Sequence, residues 1–304
     1  MKRKGWLILL LAYLVLVLVV AIFVWPRGET LELTLPVGDA ILLAGAIIEG
    51  LAIAGIWIWS LWKDRQRLSA EKRNLEGVIQ EQQEFRRALN HELRNLITAI
   101  STGLERLGDG CDAGTLARLK TDMERLSKLL ETVNALGRLQ TDPIEFTPVK
   151  LDEIVQQALD VITETPAASG RKFEVDLPPG PFPLPTVQGN DDLLFIALLN
   201  LLDNAIKFTD KEKGKIVIRA FDDGSTVVLE ACDNGIGIRE EDQLHVFEPF
   251  FRGQGARDKA GSGLGLYQVR KIVERHGGKI SIRSKVGEGT VVTIRLPVSS
   301  ITNS

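Results

Sequence analysis

The sequence has few cysteines and no long run of basic residues. Its only two cysteines, Cys111 and Cys232, are far apart in segments that we expect in the cytoplasm, and neither has metal-ligand neighbours at zinc spacing. Their number and spacing argue against a disulfide framework and a zinc site. The formal net charge of the 304 residues is -3, and no long basic run lies outside the flanks of the apolar segments, so nothing favours nucleic-acid binding.

Two long apolar runs lie near the start of the chain. The first, residues 6–25, can cross a hydrocarbon core of ~30 Å at ~1.5 Å per residue, and its end lacks the small-residue cleavage pattern of a signal peptide. The second, residues 40–62, contains Glu49, an acid that would face protein, either at a subunit contact or with no particular function. Basic residues precede the first run and follow the second. Residues 1–62 therefore predict a membrane anchor of two transmembrane helices, with a cytoplasmic N-terminus and an external loop too short to fold into a ligand-binding domain.

A helical region is predicted after the anchor. Residues 63–80 are charged and glycine-poor, with apolar residues on one heptad register, which indicates a coiled-coil connector. Residues 81–140 contain two apolar stripes at helical spacing, separated by the glycine-rich segment 108–114. This pattern predicts an antiparallel hairpin. Because one hairpin alone would leave much apolar surface in water, we expect two copies to form a homodimeric four-helix bundle.

One histidine is placed unusually on the first helix of this hairpin. Helical geometry puts His91 almost opposite the apolar stripe, with Glu92 beside it and Asn95 one turn later. A neutral imidazole can accept a phosphoryl group at physiological pH, and a neighbouring carboxylate can take the ring proton. An exposed histidine beside a glutamate is, taken alone, more often solvated surface.

The sequence pattern changes to mixed α and β after a linker at residues 141–150. Residues 151–298 interleave helices with β-hairpins, which favours an α/β sandwich with helices on one face of a mixed sheet, and a tail follows at 299–304. The predicted elements are helices at 151–162, 191–208 and 263–276, a strand at 171–177 and a β-hairpin that turns at 222–225.

Several motifs in this part suit a nucleotide. Asn200 and Asn204 are four residues apart on one helical face, and amide oxygens are reasonable ligands for Mg2+. "DNGIGI" at 233–238 follows a strand, although "DNG" also describes an ordinary turn. "GSGLGL" at 261–266 opens a helix, whose backbone donors can hold phosphate oxygens. A dinucleotide-binding fold is disfavoured because no acid follows about twenty residues later in a parallel βαβ unit.

The "HELRN" stretch at 91–95, followed by these motifs in order with "FEPFFRG" at 247–253 and "GEGT" at 287–290, resembles bacterial two-component sensor histidine kinases. Their ATP-binding domain is shared with the wider gyrase and heat-shock-chaperone superfamily. The resemblance covers about residues 80–297. It implies that His91 is the phosphoacceptor, that Glu92 is the acid or base, and that Asn95 positions water for dephosphorylation.

The same resemblance implies a set of nucleotide-binding residues. It assigns Asn204 to magnesium, Lys207 to a phosphate and Asp233 to the adenine amino group. The remaining residues of the implied ATP site are Asn200, Phe208, Gly235, Gly237, Ile238, Gly261, Ser262, Gly263, Leu264, Gly265, Leu266 and Thr290. Residues 252–260 would form a lid. One departure is Leu96, where the family often has proline, which leaves the details of partner selectivity open.

The function implied is that of a kinase in the bacterial inner membrane, multi-pass, with its catalytic part in the cytoplasm. ATP and Mg2+ would bind the C-terminal domain, the γ-phosphoryl group would pass to His91, and an aspartate on a separate response regulator would then accept it, since no receiver domain follows. The expected partners are a second copy, that regulator and the lipid bilayer.

Two rival interpretations stay open. The first is a hydrolytic ATPase of the same superfamily, although such enzymes generally have a glutamate where this chain has Asn200, and an amide is a poor base. The second is an ATP-binding membrane scaffold without phosphotransfer.

Overall fold

The computed structural model describes residues 37–109, 112–178, 184–256, 259 and 261–298. The expected first membrane helix at 6–25, the external loop up to residue 36 and the tail at 299–304 lie outside the described residues. The chain divides into two compact units, Met1–Val78 and Ile79–Ser304. The site residues expected from the sequence all belong to the second unit.

The first helix, α1, spans Val37–Asp109. Its sequence contains no proline, so no residue interrupts the backbone hydrogen bonds, and the predicted connector at 63–80 is helical throughout. No helix in the described part of the chain is long and apolar enough to cross a membrane. The expected second span at 40–62 is not supported by this finding; these residues lie in the first part of α1.

The second helix, α2, spans Ala113–Thr141. It begins at Asp112, whose side chain accepts a hydrogen bond of 3.2 Å from the backbone N–H of Gly114. Leu119 lies so close to Gly103 of α1 that a Cβ there would be 2.7 Å from its Cδ2 atom. Leu96 of α1 and Leu129 of α2 are both buried in the main hydrophobic core. These contacts join the two helices on either side of the turn.

The remaining elements alternate between strands and helices. They are β1 (Thr147–Val149), α3 (Leu151–Thr163), β2 (Lys172–Asp176), β3 (Val187–Gly189), α4 (Asp191–Phe208), β4 (Lys215–Asp222), β5 (Thr226–Asp233), α5 (Glu240–Gln243), α6 (Gly265–Arg275), β6 (Lys279–Lys285) and β7 (Gly289–Pro297). The two short strands β1 and β3 pair antiparallel and form a small sheet of their own.

The other five strands form one mixed sheet in the order β2-β4-β5-β7-β6. Strand β2 is parallel to β4, and every other pair in this sheet is antiparallel. On β4, Ile216, Ile218 and Ala220 are buried while Arg219 between them is exposed, because successive side chains point to opposite faces. The predicted α/β sandwich with a mixed sheet is confirmed.

Candidate functional site

A cavity of about 660 Å³ lies in the second unit. Its wall combines residues from α1 and α2 with residues from α4, from the segment after β5, from the start of α6 and from β7. A cavity of this size is within the range of sites for drug-sized ligands and cofactors. Among the predicted site residues, the wall contains Glu92, Asn200, Asn204, Lys207, Phe208, Asp233, Gly237, Ile238, Gly261, Ser262, Gly263, Gly265, Leu266 and Thr290.

One end of the cavity is built around Asp233, the last residue of β5. The carboxylate of Asp233 accepts a hydrogen bond of 2.8 Å from the N–H of Gly235, and Thr290 on β7 is its cross-strand partner. Burial raises the pKa of the Asp233 carboxyl, and the backbone hydrogen bonds from Gly235 and Thr290 oppose that shift. The carboxylate oxygens are the acceptors at this end of the cavity.

Ser284 on β6 orients Thr290. The Ser284 hydroxyl donates to the carbonyl of Gly289 at 2.7 Å and accepts from the N–H of Ile238 at 2.8 Å. Because its only proton is thus used, Thr290 Oγ1, which lies 2.9 Å away, must be the donor to Ser284. The lone pairs of Thr290 Oγ1 are then the part of this hydroxyl left for a ligand. Ser284 belongs to none of the sequence motifs, because it acts by holding two motif residues, Ile238 and Thr290, in place.

Two glycines allow the segment after β5 to pack closely. A Cβ at Gly235 would be 2.5 Å from the carbonyl oxygen of Phe208, which accepts a hydrogen bond of 3.2 Å from Ile236. Gly237 has a φ of 69°, and a Cβ there would collide with the backbone of Lys285. These contacts hold the "DNGIGI" segment between the end of α4 and β6.

The two predicted amides of α4 face the start of α6. The Asn200 side-chain NH2 donates to the carbonyl of Ile196 at 2.9 Å and to Gln268 Oε1 at 3.3 Å. Its oxygen lies 3.2 Å from where a Cβ of Gly265 would be, and the side-chain nitrogen of Asn204 lies 3.6 Å from the same point. The Asn200 oxygen beside the helix N–H groups fits a Mg2+ ion bound together with phosphates. Gln268 had no signal in the sequence beyond its place on an amphipathic helix.

Lys207 and the glycine-rich segment lie together at this second end. The ammonium of Lys207 is so near Gly261 that a Cβ there would collide with it, and it lies 5.1 Å from the ring centroid of Phe208. Burial lowers the pKa of Lys207, and the positive charge of Arg252 lowers it further. Gly263 has a φ of 74°, which lets its carbonyl accept from the N–H of Phe250 at 3.1 Å. Leu264, fully buried, precedes α6 and anchors it.

The described part of the predicted lid has its own structure. Gln254–Ala256 form a 3-10 helical turn, and Arg252 donates to the carbonyl of Ala256 at 2.6 Å. The ring of Phe250, in the "FEPFFRG" motif just before the lid, lies 5.7 Å from that of Phe85 on α1 and packs against the core. Phe250 of the "FEPFFRG" motif therefore connects the segment before the lid to α1.

The helix pair contributes one side of the cavity. Glu92 and Leu96 of α1 line the cavity, whereas His91 is exposed and is not one of the lining residues. His91 Nδ1 is 3.1 Å from the side-chain nitrogen of Asn95, and this pair shares one exposed face of α1 as predicted. Helix α2 adds a row of residues that the sequence did not indicate as site residues: Thr121, Glu124, Arg125, Lys128, Leu129 and Thr132.

Comparisons with known proteins agree on one family. Residues 189–300 match the family of histidine kinase-, DNA gyrase B- and HSP90-like ATPases. The adaptive-response sensory kinase SasA of Crocosphaera subtropica is 33% identical over 257 residues, which is 76% of this chain and 63% of SasA. The chain spans about half the length of the curated relatives that it matches.

Two solved structures are similar in fold. The histidine kinase AdeS of Acinetobacter baumannii is 25% identical, with a TM-score of 0.55 over 69% of this chain and 98% of AdeS. The histidine kinase ThkA, solved in complex with the response regulator TrrA, is 27% identical, with a TM-score of 0.57 over 69% of this chain and 60% of ThkA.

Proposed function

This chain belongs to the sensor histidine kinases of two-component systems, and from that premise we propose that it transfers the γ-phosphoryl group of ATP to His91. The observation that carries the proposal is the cavity itself. It joins the nucleotide motifs of the C-terminal domain to Glu92 and Leu96, which lie on the same helix as His91.

The adenine end of ATP would bind at Asp233. The adenine amino group donates a hydrogen bond, and the Asp233 carboxylate and Thr290 Oγ1 offer acceptors at the end of β5. Guanine presents a carbonyl at the corresponding position, which would face the carboxylate unfavourably. This arrangement favours ATP over GTP.

The phosphates would bind at the other end. The backbone N–H groups at the start of α6, the glycines at 261–265 and the Lys207 ammonium offer positive charge and donors for phosphate oxygens. Asn204 and the oxygen of Asn200 would hold Mg2+, which supplies charge neutralisation of the transferring group when bound.

The transfer step uses the imidazole of His91 as nucleophile. An N–P bond forms at the ring nitrogen, the bond between the γ-phosphorus and the bridging oxygen breaks, and ADP leaves. The side-chain NH2 of Asn95 can only donate, so its contact with Nδ1 orients the ring and leaves the ring proton on Nε2. Glu92 would take this proton from Nε2 as the N–P bond forms there.

Further steps of the proposal involve a partner protein. The phosphoryl group would pass from His91 to an aspartate of a separate response regulator, a class of partner with which ThkA was solved. Asn95 would orient a water molecule for the reverse step, dephosphorylation of that regulator. If so, Asn95→Ala slows decay of the phosphorylated regulator, and Asn134→Ala on α2 leaves it unchanged; equal decay in all three proteins argues against the role.

Dimerisation and membrane attachment complete the proposal. Large apolar side chains of α1 and α2, among them Ile97, Leu104, Leu116, Met123 and Leu130, are exposed in a single chain, and a second hairpin would cover them. Attachment to the bacterial inner membrane is supported by the apolar sequence of residues 6–25.

The test is incubation with ATP labelled in the γ-phosphate. We expect the chain to acquire label that acid removes and base does not, which is the behaviour of a phosphorus–nitrogen bond. The variant Asn204→Ala should acquire none. Release of inorganic phosphate without any labelled protein would instead support the hydrolytic ATPase.

A further inference from the structure

Lys128 reaches the nucleotide cavity from the helix pair. It lies on α2, next to Leu129, which is 1% exposed and packs in the main hydrophobic core. Both residues line the cavity that also contains Lys207. Because Leu129 anchors this turn of α2, the start of the Lys128 side chain has a defined position at the cavity rim.

An ion pair connects Lys128 to the nucleotide domain. Its ammonium lies 3.7 Å from the Asp203 carboxylate on α4, the residue directly before Asn204. The two side chains are 75% and 57% exposed, and such exposed pairs contribute little to stability. A stronger anion near Asp203 can therefore replace it as the partner of Lys128.

Several positive charges converge on the same end of the cavity. Lys128, Lys207 and Arg252 all line the cavity, and the charges of Lys128 and Arg252 lower the pKa of the half-buried Lys207 while Asp203 opposes them. Three cations beside the Asp203 carboxylate suit a polyanion that carries more charge than that carboxylate does. The triphosphate of ATP has this property.

We propose that Lys128 is a positioning residue that binds the γ-phosphate of ATP and releases Asp203 when it does so. The inference rests on the proposed function and extends it. ADP lacks the γ-phosphate, so after transfer Lys128 would return to Asp203. The helix pair that carries His91 would thus distinguish ATP from ADP through one lysine.

The test compares two nucleotides on the full chain with Mg2+: AMPPNP, which keeps a γ-phosphate, and ADP, which does not. We expect Lys128→Gln to weaken AMPPNP binding about tenfold, as befits loss of one hydrogen bond to a charged group, and to change ADP binding less than about twofold. Lys128→Arg should retain the preference. The matched control is Lys120→Gln, on the same helix and exposed but outside the cavity wall.

The outcomes separate the inference from the function on which it rests. An equal loss for both nucleotides, or no loss for either, would overturn the role of Lys128 while the wild type still binds ATP and labels His91. Failure of the wild type to bind either nucleotide would overturn the proposed function and the inference with it. Asp203→Asn adds a second measurement: removal of the competing carboxylate should strengthen AMPPNP binding and leave ADP binding nearly unchanged.

Discussion

The carboxylate of Glu81 on α1 lies 2.9 Å from the ammonium of Lys271 on α6. Arg270 of the same helix donates to the same oxygen, Oε1 of Glu81. The ring of Phe85, one turn later on α1, stacks on Tyr267 at 5.8 Å. The start of α6 lines the cavity, and this helix is therefore held against the helix that carries His91. Glu81 and Phe85 make this contact ten and six residues before the histidine.

The Glu81–Lys271 pair predicts a measurable coupling. The two side chains are 34% and 21% exposed, so water screens them less than it screens a fully exposed pair. A double-mutant cycle with Glu81→Gln and Lys271→Gln should give a coupling of about 1 kcal/mol in the free energy of unfolding. The control is the more exposed pair Lys215–Glu174 between β4 and β2, whose coupling should be smaller. A coupling for Glu81–Lys271 no larger than that of the control pair would contradict the role of this ion pair in holding α6 against α1.

The second prediction concerns Asp233 and the choice of base. In Asp233→Asn an NH2 group replaces one of the two carboxylate oxygens. Either the adenine amino group or the N–H of Gly235 then loses its hydrogen-bond acceptor. We expect ATP affinity to fall about tenfold or more, and the preference for ATP over GTP to disappear. Equilibrium binding of the two nucleotides measures both effects. Asp176→Asn, at an exposed end of β2, should bind like the wild type; an intact preference in Asp233→Asn would exclude the adenine role.

The third prediction is a loss of stability in acid that depends on His276. This buried ring accepts from the N–H of Asn190 at 3.0 Å, and its other nitrogen donates to the carbonyl of Ile272 at 2.7 Å. Burial lowers the pKa of His276, so as the pH decreases this residue is protonated in the unfolded chain before it is protonated in the folded chain. The free energy of unfolding should therefore fall as the pH decreases below about 6.5.

Chemical denaturation over this pH range tests the role of His276. His276→Gln should be less stable at neutral pH, because it loses packing and hydrogen bonds, yet it should lose less stability than the wild type on acidification. The exposed His245, paired with Glu248 at 2.7 Å, is the control: His245→Gln should keep the wild-type decline. The same decline in His276→Gln would assign the pH dependence to other groups.

The fourth prediction separates chemistry from binding at Glu92. If Glu92 takes the ring proton, Glu92→Gln should slow labelling of the protein by roughly a hundredfold and change ATP affinity little. Rapid-quench labelling at saturating ATP gives the rate, and the concentration dependence gives the affinity. Glu105→Gln, an exposed residue on the same helix, is the matched control. Equal rates in the two variants would leave Glu92 without a part in proton transfer.

Much of this fold was predictable because its elements carry strong local signals. Helix α4 spans the predicted residues 191–208, since a long apolar face follows Asn190, whose side chain accepts from the N–H of Leu193. Strands β4 and β5 were found because alternation and a turn at 222–225 mark a hairpin. The three-residue strands β1 and β3 were missed, since so short a segment shows no periodicity.

The site was predictable only where a residue belongs to a motif. Gln268 and Ser284 were missed because neither belongs to a motif and each acts by contacting a cavity-lining residue, Asn200 or Thr290. Lys128 was missed for another reason: on α2 it is one of several exposed charges, and only the packing of Leu129 places it at the cavity. The expected span at 40–62 rested on its apolar residues and on the basic residues that follow them.

Location of the phosphoryl group by tandem mass spectrometry tests the central claim most directly. The chain would be incubated with ATP and Mg2+ and digested under alkaline conditions, which preserve phosphohistidine. We expect the group on His91 in the wild type and in His245→Gln, and on no residue in His91→Gln. A phosphoryl group on another residue of the wild type, or an unchanged yield in His91→Gln, would contradict the account.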